Sequence, residues 1–314
     1  TDETLVTDAF ANDLMFGFIA AMMAAAVWLT IATRFGLPVS TTHSIIGGIV
    51  GVGLVLEVQH NASLIDWEVV RKVVMSWVAS PLMGGILAFI TFFIVRASIL
   101  EADDPIARSR WLAPILALPT FFTLGLALQF KALKGFISRA ASEGWIDDKN
   151  DWLPVKENGV FDPFAENAWF PINSLIVAFI IGCIASMILW YVLRDYDFKK
   201  QGEGFQGVEK IFVWLQIITA AYVAFAHGAN DRSNAIGPMA AVYDILSSGG
   251  DLASKVDVPL WLVLLGSVGI AVGVVTWGWR VMETIGTKIT DITPTRGFAA
   301  EFGAATTILI FSMP

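Results

Sequence analysis

Residues 14–33, LMFGFIAAMMAAAVWLTIAT, contain no Asp, Glu, Lys or Arg. A helix needs about 20 consecutive apolar residues to cross a bilayer's ~30 Å hydrocarbon core, and this stretch is long enough. Its apolar residues cover every side of the helix, as expected in lipid, whereas a helix resting on a soluble core would keep a polar face. Outward from it, uncharged windows of similar length recur at 35–56, 73–95, 111–130, 167–193, 211–230 and 258–279. Two further runs, 233–243 and 302–314, are too short to span and need a separate account. The chain is 56% hydrophobic and 15% charged, with mean hydropathy +0.67, against about 25% charged residues in a soluble domain. The expected fold class is therefore all-α, a polytopic, multi-pass integral membrane protein in contact with a lipid bilayer.

The net charge of -8 sits mainly in connecting segments, notably 143–166, and argues against a nucleic-acid partner. Cys183 stands alone inside a window, so no disulfide framework exists. Connections sort the chain into three blocks: 1–95, 96–207 and 208–314. Segment 131–170 is polar and reads as a solvated extramembrane loop; a second such loop covers 194–207 and reaches 210. Basic residues are sparser in the middle loop than in 96–110 and 194–210, which places the latter two in the cytoplasm. The third helix is expected to be kinked or loosened at Pro81 and Gly84-Gly85.

Transporters are often built from inverted repeats. An offset of 280 residues aligns Gly17-Phe18 with Gly297-Phe298, Ala24-Ala25 with Ala304-Ala305 and Leu29 with Leu309. At that register Pro314 falls opposite Arg34, so the positions that would follow lie opposite FGLPVSTTH. The start, TDETLVTD, has neither Met nor a signal-peptide pattern, and the chain is expected to be an interior segment cut at both ends.

Two segments carry chemistry. The first is GLPVSTTHSIIGGIVGVGL (36–54). Pro38 disfavours helix before it, so a helix is expected to start at Ser40 or Thr41. The hydroxyls of Ser40, Thr41 and Thr42 then lie beside free N-terminal amides and the positive end of the helix dipole, an anion site at membrane depth; capping or hydrogen bonding within a bundle is the plainer role for the same hydroxyls. Gly47, Gly48, Gly51 and Gly53 are expected to let this helix pack closely. His43 reads first as a hydrogen-bonded structural group, and as a proton relay second.

The second segment is HGANDRSNAIGPMAAVY (227–243), where Asp231, Arg232 and two Asn residues interrupt an apolar run. Ionisable groups at membrane depth are costly and mark a substrate or ion pathway. Asn230, Asp231 and Asn234 offer a carboxylate and two amide oxygens, a donor set for a hard cation. Gly228 and Gly237-Pro238 favour a break, which would leave 233–243 as half of a re-entrant helical hairpin. A loop at the membrane surface is the plainer alternative.

The strings HGANDRSNAIGP and PVSTTHSIIGG resemble the two signature motifs of the inorganic phosphate transporter (PiT) family of sodium- or proton-coupled permeases. Val208–Asp231 and Thr293–Ile308 extend the resemblance over most of the chain outside 131–170. Family members carry each motif twice, once per inverted repeat, whereas this sequence holds one copy of each. The resemblance implies that 1–95 is the C-terminal part of a first repeat, 96–207 central helices and loops, and 208–314 the N-terminal part of a second repeat. It further implies that Asn230 and Asp231 take part in cation and phosphate coordination, with Asn234 close by and Asp231 a position for sodium, and that Ser40, Thr41 and Thr42 hold phosphate oxygens. Glu301, in GFAAEF, stands where some members have an important acidic residue. Arg232 departs from the family, which has a small or apolar residue there; a salt bridge to a neighbouring carboxylate and a contact with the anion are both open roles. With His43 and His227 it forms the accessory set.

The function expected is secondary active transport of inorganic phosphate with Na+ or H+ as the coupling ion, by alternating access, in the cell (inner) membrane, with no cofactor beyond that ion and a homodimer as an open expectation. Another oxyanion such as sulfate is the alternative. A membrane-embedded hydrolase using Asp231 and His227 is a remote one: the sequence has no metal-binding His cluster, nucleophile elbow or HExxH, and the protein is not expected to be an enzyme.

Overall fold

The computed structural model describes residues 8–147, 149–153, 171–194, 205–250, 256 and 258–311. Among these every regular element is helical: α1 (Asp8–Arg34), α2 (Thr41–His60), α3 (Trp67–Val95), α4 (Pro105–Ala127), α5 (Lys134–Ser142), α6 (Ile172–Arg194), α7 (Phe205–Ser248), α8 (Leu260–Glu283) and α9 (Pro294–Phe311). α3, α4 and α8 run on into π-helical turns at Arg96–Leu100, Leu128–Ala132 and Thr284–Ile289. Seven helices, α1 to α4 and α6 to α8, are long and apolar enough to cross a membrane, one for each uncharged window. Their side chains agree with that solvent: large apolar residues are exposed along all seven, with Val58 at 86%, Val275 at 81% and Phe89 at 70%, an apolar surface too extensive for water.

The chain forms two compact units, Thr1–Val73 with Asn230–Asp291, and Val74–Ala229 with Ile292–Pro314. These units cut across the three sequence blocks, because helix contacts are made between segments far apart in the chain. α7 contributes its first part to one unit and its second part to the other.

In the first unit α1 lies along α2. Gly48 sits against Ala21, where an added Cβ would be 3.1 Å from the Ala21 carbonyl oxygen. Gly53 meets Ile65, whereas Gly47 and Gly51 have nothing within 4 Å, so close packing falls on two of the four expected glycines. α1 stops in a Schellman motif: Gly36 adopts φ 68, its N–H reaches the Thr33 carbonyl, and Leu37 N–H reaches that of Ala32. Pro38 follows and cannot continue the helix. At the far end of α2, Glu57 Oε1 accepts from the N–H groups of Leu64 and Ile65 at 2.8 and 2.9 Å, which turns the chain into α3. Asp13 Oδ2 ties α1 to that end through Gln59 and His60, each at 3.0 Å.

In the second unit α4 and α6 pack through small residues. An added Cβ on Gly182 would stand 2.8 Å from the Leu118 carbonyl oxygen, and Ser186 donates to the Pro114 carbonyl at 2.7 Å; such close backbones and interhelical hydrogen bonds substitute for the hydrophobic drive that lipid cannot supply. The first part of α7 is joined to α9 by a ladder. Thr295 donates N–H and hydroxyl to Glu209 at 2.9 and 2.8 Å, Phe212 meets Phe298 edge-on at 5.5 Å, Thr219 donates to Glu301 at 2.6 Å, and Tyr222 donates to the Ala305 carbonyl at 3.4 Å. Both numbers rise together along the ladder, so the two helices are parallel.

Three sequence expectations are corrected here. The break around Gly228 and Gly237-Pro238 is not present: α7 is helical from Phe205 through Ser248, so 233–243 is not a half-hairpin. In hydrocarbon each unsatisfied backbone group costs several kcal/mol, whereas a glycine inside a helix costs about 1 kcal/mol, so continuity is the cheaper solution. Pro81 lies inside α3, which is helical from Trp67 through Val95. The described part of the 131–170 loop is not merely solvated: it forms α5 and buries Ile137 and Leu153 in an apolar cluster with Phe130 and Ala178. Finally, the second loop ends earlier than expected, since α7 begins at Phe205; residues 154–170 and 195–204 lie outside the described residues.

Candidate functional site

α2 begins at Thr41, as the Pro38 argument requires. Ser40 is its N-cap, at φ -85 and ψ 125, and its hydroxyl accepts the His43 N–H at 3.2 Å. Ser40 therefore plays the plain capping role, while Thr41 and Thr42 occupy the first turn, whose N–H groups have no intrahelical acceptor. Ser44 completes the turn by donating to the Ser40 carbonyl at 2.8 Å.

The second polar segment meets this helix start side chain to side chain. Thr41 Oγ1 donates to Asp231 Oδ2 at 2.7 Å, and Asn234 Nδ2 donates to Thr42 Oγ1 at 2.9 Å. Asp231 and Asn234 share a face of α7 because they are three apart on a continuous helix. All four are half-buried. A hydroxyl bonded to a carboxylate is charge-assisted, worth about 1.5–3 kcal/mol, so the Thr41 rotamer and the Asp231 carboxylate fix each other. A cavity of about 310 Å³ opens beside Asn234, lined by Phe18, Ile45, Ile49, Ser233, Gly237 and Pro238 among others.

Without breaking the helix, Pro238 still supplies a backbone carbonyl of the kind a break at Gly237-Pro238 was expected to leave free to ligate. It lacks an N–H, so the carbonyl four residues earlier, that of Asn234, has no i→i−4 partner. A proline four positions after a polar site residue thus frees one backbone oxygen at the site without unwinding the helix.

The remaining candidates are distributed. Asn230 is helical in α7, and its side chain lies outside the described residues. His43 and Arg232 are exposed. His227 is exposed and belongs to the second unit. Glu301 also belongs to the second unit, half-buried, its carboxylate accepting from Thr219. The structure thus brings Thr41, Thr42, Asp231 and Asn234 together. They combine a negative oxygen donor with hydroxyls and free amides, which suits a cation beside an anion. Among the described residues no group of three or more His, Cys, Asp or Glu is placed to hold a metal ion.

The profile of the phosphate transporter family matches residues 2–314. A protein of Pyrococcus abyssi named "Putative phosphate permease" is 42% identical over 301 residues, covering 96% of this chain and 65% of that protein. A Pyrococcus furiosus protein of the same description is 39% identical over 314 residues, covering 99% and 66%. A solved structure described as "The sodium-dependent phosphate transporter" superimposes with a TM-score of 0.76 at 32% identity, covering 96% of this chain and 66% of that one. The chain spans about two thirds of the length of these relatives.

Proposed function

The chain belongs to the phosphate transporter family, and from that premise we propose that it forms part of a secondary active transporter that carries inorganic phosphate together with a cation. The observation that carries this reading is the pairing of Thr41 with Asp231 and of Asn234 with Thr42, which joins a helix start rich in donors to a carboxylate. Two like charges 4 Å apart repel by on the order of 4 kcal/mol at an effective dielectric of 20. Phosphate beside an ionised Asp231 would lose roughly a thousandfold in affinity by that repulsion alone. A cation held by Asp231, the Asn234 side chain and the Asn234 carbonyl removes the penalty, so the two ions travel together. Sodium is favoured as the cation by the name of the similar solved structure, and alternating access follows from the need to close the charged pair away from one aqueous side at a time. The repeat relation between the α1 and α9 sequences belongs to the same proposal.

The test is uptake of labelled phosphate by the protein in a host lacking its own phosphate carriers, under imposed sodium and pH gradients. Uptake driven by one of the gradients, competed by arsenate and not by sulfate, is the expected result; competition by sulfate alone would move the reading to the other oxyanion. A finer outcome concerns Thr41. Thr41→Val removes the donor to Asp231 and should lower uptake about tenfold to a hundredfold, the factor matching a lost charge-assisted hydrogen bond, while Thr41→Ser should keep most of it. Equal rates for the two variants would remove Thr41 from the site.

A further inference from the structure

Where α1 and α8 finish, two arginines that the transport reading does not use are joined by a hydrogen bond from the side chain of Arg280 to the backbone of Arg34. Arg34 occupies the last turn of α1 and is exposed. Arg280, in the last turn of α8, donates from Nη1 to the Arg34 carbonyl at 2.8 Å, and its guanidinium carbon lies 5.1 Å from the Trp279 ring centroid. These contacts hold the Arg280 group in one place. Its Nε–H is buried without a hydrogen-bond partner among the described residues. Among the described residues neither arginine forms an ion pair, although Glu283 is one turn from Arg280. Gly36 brings the α1–α2 connection down on this end of α8: a Cβ there would meet Thr284 Oγ1 at 2.9 Å and the Arg280 carbonyl oxygen at 3.2 Å.

The surroundings say what covers the pair. Phe35 is 72% exposed, Leu37 50% and Trp279 52%, an apolar and aromatic border immediately beside fixed positive charge. Basic and aromatic residues at the ends of spanning helices lie at the lipid–water interface, and a guanidinium pairs with phosphate oxygens bidentately. We propose that Arg34 and Arg280 seat the phosphate of an anionic phospholipid headgroup beside that border, with its acyl chains running back along the exposed apolar residues of α1 and α8, such as Ile31 and Val275. Free phosphate would engage the arginines alone and leave the apolar border unused, so a lipid is the occupant that matches both halves. The inference rests on the membrane placement of α1 and α8, not on the transport reading.

The experiment is native mass spectrometry of the purified protein titrated with phosphatidylglycerol or with phosphatidylcholine. Arg34→Gln leaves the Arg280 hydrogen bond in place, because the acceptor is the backbone of residue 34, so this variant keeps the fold. Phosphatidylglycerol is expected to bind more tightly than phosphatidylcholine, and Arg34→Gln and Arg280→Gln are each expected to weaken it about fivefold. Arg71→Gln, at the start of α3 in the same unit, should leave it unchanged, and millimolar inorganic phosphate should not displace it. An equal loss in Arg71→Gln, no loss in Arg34→Gln, or displacement by free phosphate would each overturn the proposal.

Discussion

Replacing Asp231 with Asn is expected to abolish gradient-driven phosphate uptake while leaving the protein in the membrane at normal abundance. Asparagine keeps the shape and one oxygen that accepts from Thr41 Oγ1, now at 2.7 Å from Asp231 Oδ2, so the helix pairing should survive. What disappears is the charge. A cation 4 Å from a carboxylate gains on the order of 4 kcal/mol at an effective dielectric of 20, and its loss weakens cation affinity roughly a thousandfold. The same substitution removes the repulsion against phosphate. Binding of phosphate to purified Asp231→Asn protein should therefore persist but no longer respond to the cation. Wild-type uptake rates in the variant, with immunoblots showing equal membrane protein, would falsify the assignment of Asp231; retained cation-dependent binding would assign the cation to other groups.

The second large effect concerns stability. Gly303→Val in α9 should prevent the second unit from packing, because a Cβ at that position would stand 2.6 Å from the Ala88 nitrogen and 2.8 Å from the Gly84 carbonyl oxygen. Both are backbone atoms of α3, which cannot rotate aside as a side chain can. Overpacking of this kind costs about 1–3 kcal/mol and more where no relaxation is available. Gly85, one residue from Gly84, has nothing within 4 Å, and Gly85→Ala should be neutral or mildly stabilising through helix propensity, by up to about 1 kcal/mol. Thermal unfolding of the detergent-purified variants separates the cases: a Gly303→Val protein melting with the wild type would show that α3 and α9 are not in this contact.

Much of this architecture was legible in particular residues. The seven uncharged windows became the seven helices able to span, since a bilayer imposes length and polarity on each segment separately. The α2 start at Thr41 followed from Pro38 and Ser40, for capping is a matter of neighbouring residues. Where the expectation failed, at Gly228 and Gly237-Pro238, local breaker signals competed with the cost of exposing backbone in lipid, and the second won. Segment 131–170 misled in the other direction: its charged residues suggested a solvated loop, yet Ile137 and Leu153 found an apolar partner surface that no local pattern announces.

The two polar motifs, and the family they indicate, were in the sequence. That Thr41 would meet Asp231 across 190 positions, that Glu301 would be held by Thr219 across 82, and that Arg280 would close the end of α1 across 246 belonged to the tertiary structure. Residue chemistry and spacing determine what a segment is able to do within one helical turn. Which segments meet is decided by the packing of whole helices, where small residues at a few crossings let backbones approach and so select the partners.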